Sequence, residues 1–270
     1  MSAEPEAADT PPAASDDAPL AVAPAAAPPI QLRPLGWSAP LRWLRLGLRD
    51  LLRAPFIGLF YGSAFMVMGW ALMKVYENAP AYVMALAAGF LLVGPALCLG
   101  LYRVSQRLER GERPDFGDSL LAFESRVGPL ALFGLVLLVL EMIWGRAAMV
   151  IFAVSFDGMP DLKGSLLALL NPENVSFIVA YLGVGALFAG LIYAVSVVTM
   201  PMLLDRPVDA VTAALTSLRL VFTQPGVMLL WGALLTLLVV AAMLPWFAGL
   251  MVVGPWVGHA SWHAYREAVV

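Results

Sequence analysis

The sequence predicts an all-α membrane protein: six transmembrane helices in three hairpins, each hairpin preceded by a cytoplasmic amphipathic helix. Hydrophobic residues make up 61% and charged residues 13% of the 270 positions, against about 45–50% and about 25% in soluble domains. Apolar runs recur at the roughly 20 residues that an α-helix needs to cross a hydrocarbon layer about 30 Å thick. Cationic residues gather between alternate runs, as the positive-inside rule requires. The net charge of −3 is a poor guide, because five acids fall in the first 17 residues while most arginines lie beside membrane segments.

The chain is organised around Phe90 to Pro114, where an apolar run passes directly into a segment holding Arg103, Arg107, Arg110 and Arg113. Guanidinium groups do not follow an apolar helix into lipid, so this junction marks a membrane face, cytoplasmic by the same rule. Upstream, residues 1–32 are mainly Ala, Pro and acids, with no Lys or Arg. They read as a disordered cytoplasmic tail, too poor in apolar side chains to offset chain entropy. The tail lacks the basic start and apolar core of a secretory signal, so insertion is expected through the chain's own helices. The membrane domain is expected over 33–270.

From Ser38 to Pro55, Leu41, Leu44, Leu48 and Leu51 recur at helical spacing, with Arg42, Arg45, Arg49 and Arg53 on a stripe about 100° away. That pattern predicts an interfacial helix, with Ser38 as its cap, Pro40 in its first turn and its arginines towards anionic lipid headgroups. The first span is expected at 56–73 and its return at 81–102. Gly58 and Gly62 form a small-residue face that suits close helix packing within the molecule. Phe116, Leu120, Phe123 and Val127 predict a second surface helix over 114–127. Spans at 129–155 and 176–204 follow, joined by an outer loop in which Leu162, Leu166 and Leu170 predict a short helix. Val208, Val211, Leu215, Leu218 and Phe222 predict a third surface helix. After Arg219 no charged residue occurs until Arg266, and Pro245 divides that stretch into two spans, 226–244 and 246–264, or into a re-entrant pair.

Of the 16 Lys and Arg residues, thirteen fall on the predicted cytoplasmic side, Lys74 and Lys163 fall outside, and Arg146 lies within a span. Both termini are therefore expected in the cytoplasm. Prolines bracket each surface helix, and a proline lies near the cytoplasmic end of each returning helix, at Pro95, Pro201 and Pro255. These spacings predict a weak threefold repeat of surface helix plus membrane hairpin.

Chemistry-bearing residues are few. Glu141 lies about 18 Å into its span, and Arg146 sits about 140° around the same helix, a poor separation for an ion pair. Both are costly in lipid and are carried as intramembrane polar candidates with Tyr193 and Thr236, which fall at nearly the depth of Glu141. A Glu141–Tyr193 hydrogen bond is expected. His259 and His263 share one helical face, a geometry that suits a ligand. No acid-bearing zinc pattern accompanies them, and Trp262 and Tyr265 beside them read as an interfacial belt, which makes the histidines an interface pair. The single cysteine, Cys98, lies in an apolar run and excludes a disulfide framework. No phosphate-binding loop, nucleophile elbow, kinase set or zinc signature occurs, so no catalytic residue, metal or cofactor is expected, and no nucleic-acid partner.

The segments Ser-Ala-Pro-Leu-Arg-Trp-Leu-Arg-Leu-Gly at 38–47, Gly-Phe-Leu-Leu-Val-Gly-Pro at 89–95, Arg-Leu-Glu-Arg-Gly-Glu at 107–112 and Gly-His-Ala-Ser-Trp-His-Ala-Tyr-Arg at 258–266 carry a family resemblance. The chain resembles the bacterial integral membrane proteins of the domain of unknown function 2189 family, from about residue 33 onward. The resemblance implies a bacterial inner membrane and transfers no activity. Two functions are carried forward: a non-enzymatic scaffold or assembly component, with a membrane-protein partner or a second copy, and a small-solute or ion transporter using Glu141 and Arg146.

Overall fold

Proline punctuates the chain, because a residue without an amide proton is tolerated in the first turn of a helix and disruptive later. In the computed structural model, which describes residues 30–79, 82–155 and 174–270, α1 (Ala39–Arg53) carries Pro40 in its first turn and α2 (Pro55–Asn78) begins on Pro55. Then come α3 (Val83–Glu109), α4 (Phe116–Leu120), a 3-10 turn (Glu124–Arg126) and α5 (Val127–Ser155). The second half holds α6 (Val175–Ser196), α7 (Thr199–Asp205), α8 (Ala210–Thr223), α9 (Pro225–Met243) and α10 (Leu250–Ala268). Among the described residues there is no strand, only an antiparallel bridge between Leu32 and Val269. The tail predicted over 1–32, except its last residues, and the loop helix with Leu162, Leu166 and Leu170 lie outside the described residues.

Five segments are long and apolar enough to cross a membrane: Pro55–Asn78, Ala85–Glu109, Val127–Ser155, Val175–Asp205 and Pro225–Met243. The stretch expected to cross at 246–264 does not reach that standard, because α10 carries His259, His263, Arg266 and Glu267 in its second half. The surface helix expected over 114–127 is also shorter than predicted. Asp115 caps α4 by accepting from the Asp118 amide at 2.7 Å, but the helix ends at Leu120 and a 3-10 turn completes the segment. Ser38 stands at the start of α1 without a side-chain capping bond. The span expected at 176–204 is broken at Val197–Val198, because the ring of Pro201 conflicts with a continuous ladder. Ser217 of α8 satisfies the break, donating to Ala194 O at 2.7 Å and accepting from the Val198 amide at 3.4 Å.

Helix α10 is the hub, packing against α1, α2, α3, α7 and α9. Gly47 lets α1 cross it against Ala260, and Gly62 brings α2 onto the Met251 carbonyl; a Cβ at either position would collide with backbone. The Gly58 and Gly62 face is thus used inside the molecule. Gly69 meets Phe247 and Gly58 faces Pro255, so α2 and α10 run antiparallel and His259, one turn past Pro255, is level with the start of α2. The first half of α10 therefore lies alongside the apolar part of α2, and its polar half projects beyond at the arginine-rich end of the molecule, here called the basic end.

The short helices at that end bury small and polar residues beside a few large ones and leave several apolar side chains exposed. In α1 the buried stripe includes Trp43, Gly47 and Asp50, whereas Leu41 and Leu48 of the predicted apolar stripe are exposed together with Leu52. Leu41, Leu48 and Leu52 lie within about 40° of one another on a helical projection, with Arg42, Arg49 and Arg53 about 100° away. α8 repeats this: Ala213, Thr216 and Ser217 are buried, while Val211, Leu215 and Phe222 are exposed. Both helices reach the next through the same backbone bend, φ −131°, ψ 55° at Ala54 and φ −134°, ψ 54° at Gln224. α1 packs on α10, α4 on α3 and α8 on α6, while α3, α7 and α10 touch one another.

Gly62→Ala is expected to lower the midpoint of thermal unfolding in detergent by about 5 °C, as overpacking against a main chain that cannot yield. Gly183→Ala, where an added Cβ meets nothing within 4 Å, is the matched control and should leave the midpoint unchanged. Equal midpoints for the two variants would show that α2 and α10 are not in this close contact.

Candidate functional site

A layer of polar side chains forms at the basic end, where α1, α3, α7 and α10 meet. α10 presents His259, Trp262, His263, Tyr265, Arg266 and Glu267 over three turns, so every side of the helix needs a polar partner. The partners come from α1, α3 and the end of α7. Asp50 of α1, 1% exposed, lies 2.8 Å from His263 Nε2. Ser105 of α3 lies 2.8 Å from His259 Nδ1, and both residues are 0% exposed. Asp205 at the end of α7 accepts from Gln106 at 2.9 Å and from the Tyr265 hydroxyl at 2.7 Å. Arg206 donates to Tyr265 at 2.9 Å and to Val269 O at 3.1 Å. Glu109 accepts from Trp262 and Arg266, each at 3.1 Å. Glu267 accepts from Trp43 at 2.9 Å and pairs with Arg42.

Electrostatics follow from this packing. Burial raises the Asp50 carboxyl, but hydrogen bonds and charge from His263, together with a hydrogen bond from Ser105, outweigh it and hold Asp50 below the usual carboxylate range. Burial pushes the His259 imidazole down to about 4, against a smaller opposing pull from Asp50. His259 Nε2 is buried without a hydrogen-bond partner among the described residues. Burial likewise raises the Tyr265 phenol, and its bond to Asp205 adds to the effect. Chemically the layer is a set of neutral or paired groups that fixes α1, α3, α7 and α10 to one another.

The predicted residues are distributed differently from expectation. His259 and His263 find separate partners instead of a shared ligand, and among the described residues no group of three or more His, Cys, Asp or Glu could hold a metal. Trp262 and Tyr265 are both 0% exposed, so they form packed core and not an interfacial belt. Tyr193 does not reach Glu141: its hydroxyl donates to Met228 O of α9 at 2.6 Å. Thr236 donates to Gly232 O of its own helix at 2.9 Å. Glu141 is half-buried and Arg146 exposed, neither with a hydrogen bond or ion pair among the described residues. Of the arginine stripe, Arg42 is engaged by Glu267, Arg49 lies 3.7 Å from Asp50, and Arg45 and Arg53 are exposed.

Residues 83–205 match the family model described as predicted integral membrane protein (DUF2189). The chain carries a DUF2189 region. No curated protein and no solved structure matches the chain. The DUF2189 region runs from the first residue of α3 to the last of α7, so it supplies Ser105, Gln106, Glu109 and Asp205 to the polar layer. It also contains Glu141, Arg146 and Tyr193. Asp50 and the α10 histidines lie outside it, as do the resembling segments at 38–47 and 258–266. The chain is thus an integral membrane protein in contact with the lipid bilayer, and its polar layer is built jointly by the DUF2189 region and the helices that flank it.

Reasoning from sequence missed Asp50, Ser105, Gln106, Glu109 and Asp205. One signal was present: Trp43, Gly47 and Asp50 fall at helical spacing, a large, a small and an acidic residue on the face opposite the exposed leucines.

A pH dependence follows. A histidine held neutral below its unfolded pKa of about 6.5 contributes stability that is complete above that value and lost as pH falls towards about 4; depressed Asp50 acts in the same direction below about pH 4. Stability should therefore fall by about 3 kcal/mol between pH 7 and pH 4. His259→Gln should be less stable at pH 7 yet lose most of the slope between pH 6.5 and 4. Unfolding midpoints measured across that range test this, and an unchanged slope in the variant would refute the assignment.

Proposed function

We propose that the protein is a non-enzymatic scaffold or assembly component of a bacterial inner membrane. The observation that carries this reading is the lipid-facing stripe of α5. Leu135, Val139, Met142 and Val150 are exposed there, and Arg146 stands among them, exposed and without a partner among the described residues. Only 11% of the α5 window and 6% of the α6–α7 window are buried inside the molecule, against 22–25% for the other three, so this pair offers the most open face to a neighbouring helix. A guanidinium on such a face recognises a carboxylate carried by another membrane helix, where low dielectric strengthens the pair. The small number of unpaired intramembrane charges argues the same way, since a transport path needs several ionisable groups or broken helices lining one route.

The topology belongs to this proposal. α10 returns through the lipid by its apolar first half beside α2, giving six crossings in three hairpins: α2 with α3, α5 with α6–α7, and α9 with α10. α1, α4 and α8 precede them as surface helices at the basic end. That end faces the cytoplasm and both termini lie there, as the thirteen-to-two division of basic residues requires. The exposed arginines of α1 then meet anionic headgroups.

Native mass spectrometry of the protein released gently from its own membrane tests the function. Wild type is expected to carry a second polypeptide, another protein or another copy, that is lost in Arg146→Leu while the fold is kept. A lone protomer in both cases would sink the scaffold reading. Proton or solute flux that collapses in Glu141→Gln would replace it with transport.

A further inference from the structure

A groove of about 410 Å³ opens beside the Arg146 stripe, with Leu135 at the border between them, a volume in the ordinary range for ligand sites. Its walls are apolar: Pro95 and Leu99 of α3, Leu130, Gly134 and Leu138 of α5, and Met200 of α7. On α5 it extends from Val127 to Leu138, about 16 Å at helical rise. That is close to half of a hydrocarbon layer about 30 Å thick, the depth of one leaflet. The groove starts at the basic end, where Phe123 and Val127 flank its mouth.

Cations stand at that mouth. Arg103 continues the α3 stripe of Pro95 and Leu99, one turn nearer the basic end. Its Nε is buried and makes no hydrogen bond among the described residues; Asp118 lies 3.6 Å away, and its terminal nitrogen donates to Gln106 at 2.8 Å. Arg126 immediately precedes Val127 and has no ion pair among the described residues. Glu124 is close in sequence and exposed. At the other end, Glu141 lies one turn beyond Leu138 on the same α5 stripe, closing the apolar wall with a polar group at mid-membrane depth.

We propose that this groove is a binding site for one bilayer phospholipid, with an acyl chain along α3, α5 and α7 and the phosphodiester on Arg103 and Arg126. Three features fit this occupant together: an apolar channel one leaflet deep, its mouth at the level where headgroups lie, and guanidinium groups at that mouth. A partner helix would need a groove continuing along the whole span, whereas this one stops at the level of Glu141. Leu130, Gly134 and Leu138 lie on average about 120° around α5 from Arg146, and the site does not use the guanidinium on which the scaffold reading rests.

The test is native mass spectrometry of the purified protein in detergent after graded delipidation, with phosphatidylglycerol or phosphatidylethanolamine then added back. Wild type is expected to retain one phospholipid after the annular lipids have gone. Ala131→Trp, which fills the groove from an exposed position, should lose it, while Val139→Trp, exposed, about 80° around α5 and outside the groove's lining, should keep it. Arg126→Ala should weaken retention about five-fold. Tighter binding of phosphatidylglycerol would assign recognition to the whole anionic headgroup, and equal binding to the phosphodiester alone; either supports the site. Retention by Ala131→Trp, equal loss in Val139→Trp, or no discrete lipid on wild type would overturn it.

Discussion

The rest of the structure depends on the burial of α10. Its first half is apolar and partly open, with Val252 exposed, while its second half is polar and mostly enclosed by the same molecule. An apolar half is indifferent between lipid and protein, but a polar half that is buried must find a hydrogen bond for each group or lose several kcal/mol for each one missed. Asp50, Ser105, Glu109 and Asp205 supply those bonds from α1, α3 and α7. None of these elements can shift without leaving an unpaired group, so the polar layer fixes their relative positions as apolar contacts in lipid cannot. Gly47 and Gly62 complete the arrangement by letting backbones approach where a Cβ would hold them apart. Within a membrane, where no hydrophobic force drives helices together, this division of labour between close packing and a polar lock is expected.

The polar layer also ties up most of its own titratable groups. The groups that would attract a catalytic reading are committed to one another: the His259 ring to Ser105, His263 to Asp50, Tyr265 to Asp205. The unpartnered Nε2 of His259 is sealed from solvent and holds no exposed nucleophile or metal cluster beside it among the described residues. The uncommitted groups, Glu141 and Arg146, sit elsewhere, on different faces of α5. The open polar groups of the membrane segments thus lie on the surface of α5, away from the denser chemistry of the polar layer.

The apolar runs made five crossing helices legible, because hydropathy and length are local properties of a sequence. The arginine-rich junction after α3 was legible for the same reason. What sequence could not show is pairing across long separations. His259 and Ser105 are 154 residues apart, His263 and Asp50 are 213 apart, and no local pattern links them. The spacing of the two histidines, four residues apart on one face, treats them as one pair at an interface; their environments differ because α1 and α3 approach α10 from different sides. Matching Tyr193 to Glu141 by depth failed for a related reason: depth fixes one coordinate, and α9 supplied a nearer acceptor at Met228. In α1 the leucine stripe was taken as one face, whereas Leu44 and Leu51 turn to protein and Leu41 and Leu48 outward.

The proposed threefold repeat gives these departures a common physical origin. In the first and third copies the surface helix reaches the outgoing helix through the same bend, at Ala54 and Gln224. Positions 170 residues apart play equivalent parts: Trp43 with Ala213, Gly47 with Ser217, and Tyr61 with Trp231 are all buried. The second copy departs, with a shortened surface helix, a break before Pro201 and the two least covered membrane segments. If three like units close into a ring, each surface helix rests on the returning helix of the unit before it, as α1 does on α10, α4 on α3 and α8 on α6. A ring of like units needs no further partner to satisfy its contacts. The unit that has diverged is then the one whose surface is free to acquire another role, and it is the unit that holds Arg146, Glu141 and one wall of the lipid groove.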